Sequence, residues 1–423
     1  MNKIKCCYFR FIHDYSVYLT SYHLFTRMSM MLSYYNRIFM CVLLTSTISI
    51  SCQEVKPYVI SKSTVETESE IVTQEVSFLF MGDFMMHITQ INAALDSTGA
   101  YNFDHYFDYT HSLINGVDFA IANLEVTLAG PPYRGYPQFS APDEYAHAIH
   151  RSGIDILTTA NNHSNDRGAK GLIRTINFLD SLNIPHLGTY VDSTAKRTTY
   201  PLVIEKDGIR VALINYTYGT NGLVTKHPNI VNMFNEAEML ADLAKAKALE
   251  VDKIIAIAHW GGEYKSFPDM FQKTWGEWLL DNGADVVIGG HPHWVQPVEF
   301  RTDSMGEKMI VWSLGNIISN QRREHTDGGS SLQFTLFRDS LGEVKFKDVG
   351  YHLHWVYVNT ANDQRAYHIL PITKAELLDL ELDKASSEDL DVFIKNERTL
   401  YLENNLNVPE FQYNREQDSY YLD

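Results

Sequence analysis

The sequence predicts an α/β fold, and three observations carry that expectation. Short apolar runs with the length of buried strands recur through the middle of the chain. Patterns of helical period separate them, and each run stops at a cluster of Asp, Glu, Asn or His.

The first strand is expected over 76–81, breaking at Gly82-Asp83, with a helix from about Met86 that holds His87 in its first turn. A second, over 119–123, ends at Asn123-Leu124-Glu125. A third, over 154–159, ends in the run from Ala160 to Asp166 and is followed by a helix over 170–182. The fourth, over 253–258, ends at His259, and the fifth, over 286–288, ends at Gly289-Gly290 with His291 and His293 directly after it. A sixth, over 309–312, closes at a turn from Ser313 to Asn316 in which Gly315 suits a positive φ. Further helices are expected over 235–250 and 269–282. The runs 201–205 and 209–216 read as a hairpin turning at Lys206-Asp207-Gly208. The later runs 332–337 and 344–358 look antiparallel, so the sheets are expected to be mixed.

Bulk composition narrows the function classes. The chain has 423 residues, 45% of them hydrophobic and 21% charged, ordinary values for a folded protein with a large core. A net charge of −17 argues against a nucleic-acid partner, which needs a basic face. The cysteines, Cys6, Cys7, Cys41 and Cys52, all lie near the amino terminus, so the folded part has neither disulfide nor thiolate chemistry.

The two ends read differently from the middle. Arg37, the apolar run 38–44, small residues to Ser51 and then Cys52 follow the order of an export signal, and they resemble a bacterial lipoprotein signal in which Cys52 would carry the lipid. Residues 1–52 are therefore expected to be a signal segment that places the protein in the cell envelope, anchored to a membrane. Residues 53–75, polar and without period, are expected to be a flexible tether. The folded domain is expected over 76–372, and 373–423 reads as an acidic, helix-prone extension.

The strand ends collect Asp83, His87, Glu125, Asn162, His163, His259, His291 and His293. Neutral imidazoles and carboxylates suit divalent Mn, Fe or Zn, and a pair of such ions needs about this many donors. Without a metal, Asp83 and Asp166 would read as caps of the helices that follow them, and Asn162 as a turn residue.

The pieces Gly82-Asp-Phe-Met-Met-His87, Asn123-Leu-Glu125, Ala160-Asn-Asn-His163 with Asp166 and Gly168, His259-Trp-Gly-Gly-Glu263, Gly290-His-Pro-His293 with Gln296, and Ser313-Leu-Gly-Asn316 keep one order across about 77–320. Together they resemble the CapA family of capsule and poly-γ-glutamate synthesis proteins, within the calcineurin-like metallophosphoesterase superfamily. The resemblance implies a metallophosphatase-like four-layer sandwich, two mixed β-sheets flanked by helices. It also implies two divalent ions: Asp83, His87 and His293 on the first, Glu125 as the bridge, and Asn162, His259 and His291 on the second. His163 would be the general acid, with Asp166 orienting its ring. This chain departs from the superfamily in the wider spacing from Asp83 to His87 and in having Glu125 where an Asp is usual.

Two functions follow as expectations. One is a metal-dependent hydrolase acting on a phosphoester or on an anionic extracellular polymer; the other is a non-catalytic polymer-binding or scaffold subunit working with other subunits of an envelope export complex. A cytosolic nucleotide phosphodiesterase is disfavoured by the signal segment and by the lack of a basic patch.

Overall fold

The structure, a computed structural model, describes residues 58–62, 74–303, 306–360 and 365–422. The expected signal segment and Cys52 lie outside the described residues. Residues Lys56–Asp423 form one compact unit.

Two mixed sheets dominate it. One has the order β1 (Val59–Lys62), β7 (Leu202–Lys206), β8 (Ile209–Thr217), β10 (Lys253–His259), β11 (Val286–Gly290), β13 (Gly306–Leu314) and β12 (Val295–Asp303). Strands β8, β10, β11 and β13 are parallel, while β7 runs against β8 and β12 against β13. The other has the order β17 (Ala366–Pro371), β16 (Val344–Asn359), β15 (Gly328–Arg338), β2 (Glu75–Phe84), β3 (Phe119–Leu124), β4 (Ile156–Thr158) and β5 (His186–Leu187), with β14 (Asn316–Ile318) also pairing β2. Here β2 to β5 are parallel, and β15 to β17 form an antiparallel flank. Two short pairs complete the strands: β6 (Thr189–Tyr190) with β9 (Ile230–Val231), and β18 (Gln412–Asn414) with β19 (Ser419–Tyr421).

The layering follows from the two-residue period of a strand. Val76, Phe78 and Phe80 of β2 face the first sheet and share a core with Leu213, Ile255, Val287 and Val311. Leu79 and Met81, pointing the other way, meet Ile91, Leu113, Ala148 and Ile149 of the helices that cover this sheet. Leu243 of helix Glu236–Ala248 and Leu279 of helix Met270–Asp281 join the first core. The result is four layers: helix, sheet, sheet, helix. Phe78 sits at the centre, its ring 5.9 Å from Phe119 and 5.5 Å from Phe334, and its truncation to Ala would cost about 3–5 kcal/mol.

Each strand read from the sequence is present, most of them longer by a few residues; the third, expected over 154–159, is shorter, at Ile156–Thr158. The hairpin of β7 and β8 turns at Asp207 (φ +49) and Gly208 (φ +80), the positive-φ pair such a tight turn requires. Strand β1 corrects the expected tether: Tyr58 to Ile60 is apolar enough to add an edge strand, paired in parallel with β7. His87 precedes the helix Ile88–Ala94 as its N-cap instead of lying in its first turn.

The tail beyond residue 372 is more than a helix. Helix Lys384–Asn404 buries Phe393, Glu397 and Tyr401 along one stripe, and the Tyr401 hydroxyl lies 2.7 Å from that of Ser330 on β15. The chain then bridges Glu299 of β12 through Leu406 and Tyr351 of β16 through Glu410, so it touches both sheets.

Candidate metal centre

The carboxyl ends of the parallel strands in both sheets meet at one place, where side chains beyond the last ladder bond are free to converge. Asp83 leaves β2, Glu125 follows β3, Asn162 and His163 follow β4, His259 ends β10, and His291 and His293 follow β11. All are buried. The approach is tight enough to require Gly82, where a Cβ would lie 2.2 Å from the Gly315 carbonyl; the next N–H, that of Asp83, donates to the same oxygen at 2.9 Å. Gly315 itself has φ +68.

Two donor sets share one carboxylate. In Asp83, Glu125 and His293, one ligand atom per residue lies within 4.8 Å of the others, and the same holds for Glu125, His259 and His291. The Asn162 Oδ1 lies 2.9 Å from His259 Nε2, on the side of the second set. Glu125 thus stands between the two.

The donor set fits divalent cations. Both Glu125 oxygens and the Nδ1 of His291 are buried without a hydrogen-bond partner. An ionised carboxylate in that state is costly unless a cation compensates it. The electrostatics point the same way. Burial pushes the His293 imidazole down, but the Glu125 charge and the hydrogen bond and charge of Asp83 pull it up to about 9. A pocket that draws a proton onto an imidazole stabilises positive charge, and a divalent cation competes for the same nitrogen. Burial would raise the Asp83 carboxyl; the His293 hydrogen bond, the His259 and His293 charges and the Asn123 amide outweigh it and hold it well below the usual range. The His291 imidazole is driven down, first by burial and then by His259 and His293, which leaves it neutral as a ligand must be.

Supporting contacts fix these groups. Asp83 accepts the Asn123 amide at 2.8 Å and the His291 backbone N–H at 3.2 Å. Asn316 Oδ1 lies 3.0 Å from His293 Nδ1. His291 and His293 hold left-handed backbone at φ +98 and +58, a strain of the sort that gathers at functional sites. Asn123, Asn316 and the Asn161 side chain that bonds Asn123 had no sequence signal beyond their place in the motif runs.

His163 and Asp166 form a separate pair beside Glu125. His163 Nδ1 lies 2.7 Å from Asp166 Oδ2, and His163 Nε2 lies 3.9 Å from Glu125 Oε1. Asp166 also accepts the Phe139 N–H at 2.7 Å, and the Phe139 ring packs edge-on at 4.6 Å from His163, so the imidazole is held on two sides. Burial raises the Asp166 carboxyl, against the lowering effect of His163. The helix-cap alternative fails for both acids. The following helices begin after His87 and Arg167, while Asp83 uses both oxygens and Asp166 its Oδ2 on the contacts above, with Asp166 Oδ1 buried without a hydrogen-bond partner.

His87 is not brought into either donor set. Its Nδ1 accepts the Asn320 N–H at 3.1 Å and lies 3.3 Å from Gln90 Oε1, and burial lowers its pKa to about 4. The added residues between Asp83 and His87 carry the ring toward the first helix. Glu263, to which the sequence assigned no metal role, instead forms a third group with His291 and His293. Its sequence signal was its place at the end of the motif run His259-Trp-Gly-Gly-Glu263, just after the Gly261-Gly262 bend.

The description "Bacterial capsule synthesis protein PGA_cap" matches residues 77–321. The capsule biosynthesis protein CapA of Bacillus anthracis is 27% identical over 278 residues, 62% of this chain and 64% of that protein. The PGA biosynthesis protein CapA of Bacillus subtilis is 25% identical over 307 residues, 68% of this chain and 74% of that protein. A 5'-nucleotidase of Rattus norvegicus is 30% identical over 177 residues, 40% of this chain and 29% of that protein. Among solved structures, a NAD nucleotidase of Haemophilus influenzae aligns with a TM-score of 0.43 at 15% identity, covering 77% of this chain and 67% of that one. Since the family match begins in β2, ends just past β14 and takes in every strand tip that feeds the buried cluster, the chain belongs to the bacterial capsule synthesis protein family, PGA_cap.

Proposed function

We propose that this protein is a divalent-metal-dependent hydrolase of the phosphoesterase type, acting in the synthesis, transfer or release of an anionic extracellular polymer such as poly-γ-glutamate. The observation that carries the reading is Glu125, buried between two donor sets with neither oxygen hydrogen-bonded. The two CapA relatives, named for capsule and PGA biosynthesis, suggest the substrate class.

Asp83 and His293 would hold one ion and Asn162, His259 and His291 the other, with Glu125 shared; Mn, Fe and Zn all suit these ligands. Divalent cations held there would supply Lewis acidity, offsetting negative charge on the attacked centre and lowering the pKa of bound water. His163 stands at the edge of this cluster. With Asp166 holding its Nδ1, the free Nε2 carries a proton toward the leaving group. The scissile bond is a phosphoester, or an amide of the anionic polymer. Export through the signal segment and anchoring through Cys52 would put the site on the envelope side of a membrane, beside other polymer-assembly subunits.

The test is a panel of phosphodiester and γ-glutamyl substrates on metal-loaded protein. Turnover of a member of the panel, abolished by chelation and by Glu125→Ala, is the expected outcome. Polymer binding that survives chelation, with no turnover of any substrate, would favour the scaffold reading instead.

A further inference from the structure

Next to the histidine loop of the metal centre stands a cation without an acidic partner among the described residues. Arg323, exposed on the segment after β14, places its guanidinium 4.6 Å from the centre of the Tyr264 ring. Tyr264 is tied to the histidine loop: its N–H donates to the Pro292 carbonyl at 2.9 Å, its φ is +62, and its ring centre is 6.2 Å from that of His293. The neighbouring Arg322 is occupied, donating to the Val356 carbonyl at 2.8 Å over the Trp355 ring. Arg323 makes no ion pair with a carboxylate among the described residues.

A guanidinium stacked on an aromatic face keeps its in-plane N–H fork free, and that fork matches a carboxylate. The need for one is plain. The chain carries a net charge of −17, and the centre itself is lined by Asp83, Glu125 and Glu263. A polyanion reaching this centre meets repulsion unless a local cation receives it.

We propose that Arg323, shelved on Tyr264, is the subsite that takes a carboxylate of the substrate beside the bond cleaved at the metal centre, selecting an anionic chain over a neutral one. This rests on the hydrolase reading for the identity of the site and adds to it the residue that determines specificity.

Equilibrium dialysis of the metal-loaded protein against a short γ-glutamyl oligomer and its fully methyl-esterified form tests it. The wild type should bind the acid form roughly tenfold tighter than the ester. Arg323→Gln should remove most of that preference while leaving ester binding unchanged. Arg323→Lys, which keeps the charge and loses the fork, should fall between, and Tyr264→Leu should mimic Arg323→Gln. A wild type with no preference, or an Arg323→Gln variant with the full preference, overturns the proposal. Dialysis reads binding without turnover, so a protein that binds selectively and cleaves nothing would sink the hydrolase reading alone.

Discussion

The pairing of His163 with Asp166 makes a claim about proton placement that a single atom change can test. Asp166→Asn keeps size and shape, but the carboxamide no longer supports a charged imidazole, because the carboxylate that accepted from Nδ1 is gone. Turnover of esters with poor leaving groups should fall about 10²–10⁴-fold, whereas a p-nitrophenyl ester, which needs no protonation, should be cleaved at nearly the wild-type rate. Equal losses on both substrates would show that Asp166 supports the fold and not the acid. At this scale the sequence was informative where a side chain sits within a few residues of a strand end. Asp83, Glu125, His259, His291 and His293 converge because the parallel strands that carry them end together. His87 and Glu263 took other places: His87 caps the helix that begins at Ile88, and Glu263 turns back to His291 and His293 after the Gly261-Gly262 bend, local geometries that no periodicity encodes.

Among the elements, strand β16 carries a pH dependence of its own. His354 is fully buried on it, with Nε2 2.8 Å from the Ser331 hydroxyl, and burial lowers its pKa to about 3. An unfolded His takes up a proton near pH 6.5, so between there and pH 3 the unfolded chain binds a proton that the folded chain refuses. Stability from this residue is complete above pH 6.5 and declines as pH falls, by roughly 2 kcal/mol at pH 5. Thermal melts at pH 7.5 and pH 5 should therefore show a smaller drop in Tm for His354→Gln than for the wild type; an unchanged drop would mean that this group is not the source. Elements with strong local signals were legible, as the β7–β8 hairpin shows with its Asp207-Gly208 turn. Strand β1 was not, because a short apolar run in a polar segment becomes a strand only when an edge such as β7 accepts it.

For the whole molecule, the tail beyond residue 372 decides what counts as the folded unit. Phe393, Tyr401 and Val408 belong to the same core as both sheets, and Arg398 pairs with Glu376 at 2.6 Å and Glu410 at 2.7 Å to close the strap on itself. A chain ending at residue 372 would expose that core face. It should fail to give a cooperative melt, while Tyr401→Ala in the full chain should fold with a loss of about 3–5 kcal/mol in chemical denaturation. A truncated chain that melts like the full one would make the tail an appendage. Its role was hidden in the sequence because a single narrow stripe of the helix Lys384–Asn404 is buried, and the acidic remainder faces water.

The convergence of two sheets on Glu125 is tested most directly by counting metal. After loading with Mn or Zn and exhaustive dialysis, elemental analysis of the wild type should find two divalent ions per chain, and Glu125→Gln should lose at least one while its metal-free form melts no lower than the wild type, since a buried uncompensated charge has been removed. A wild type that retains no divalent ion under these conditions would contradict the metal centre outright.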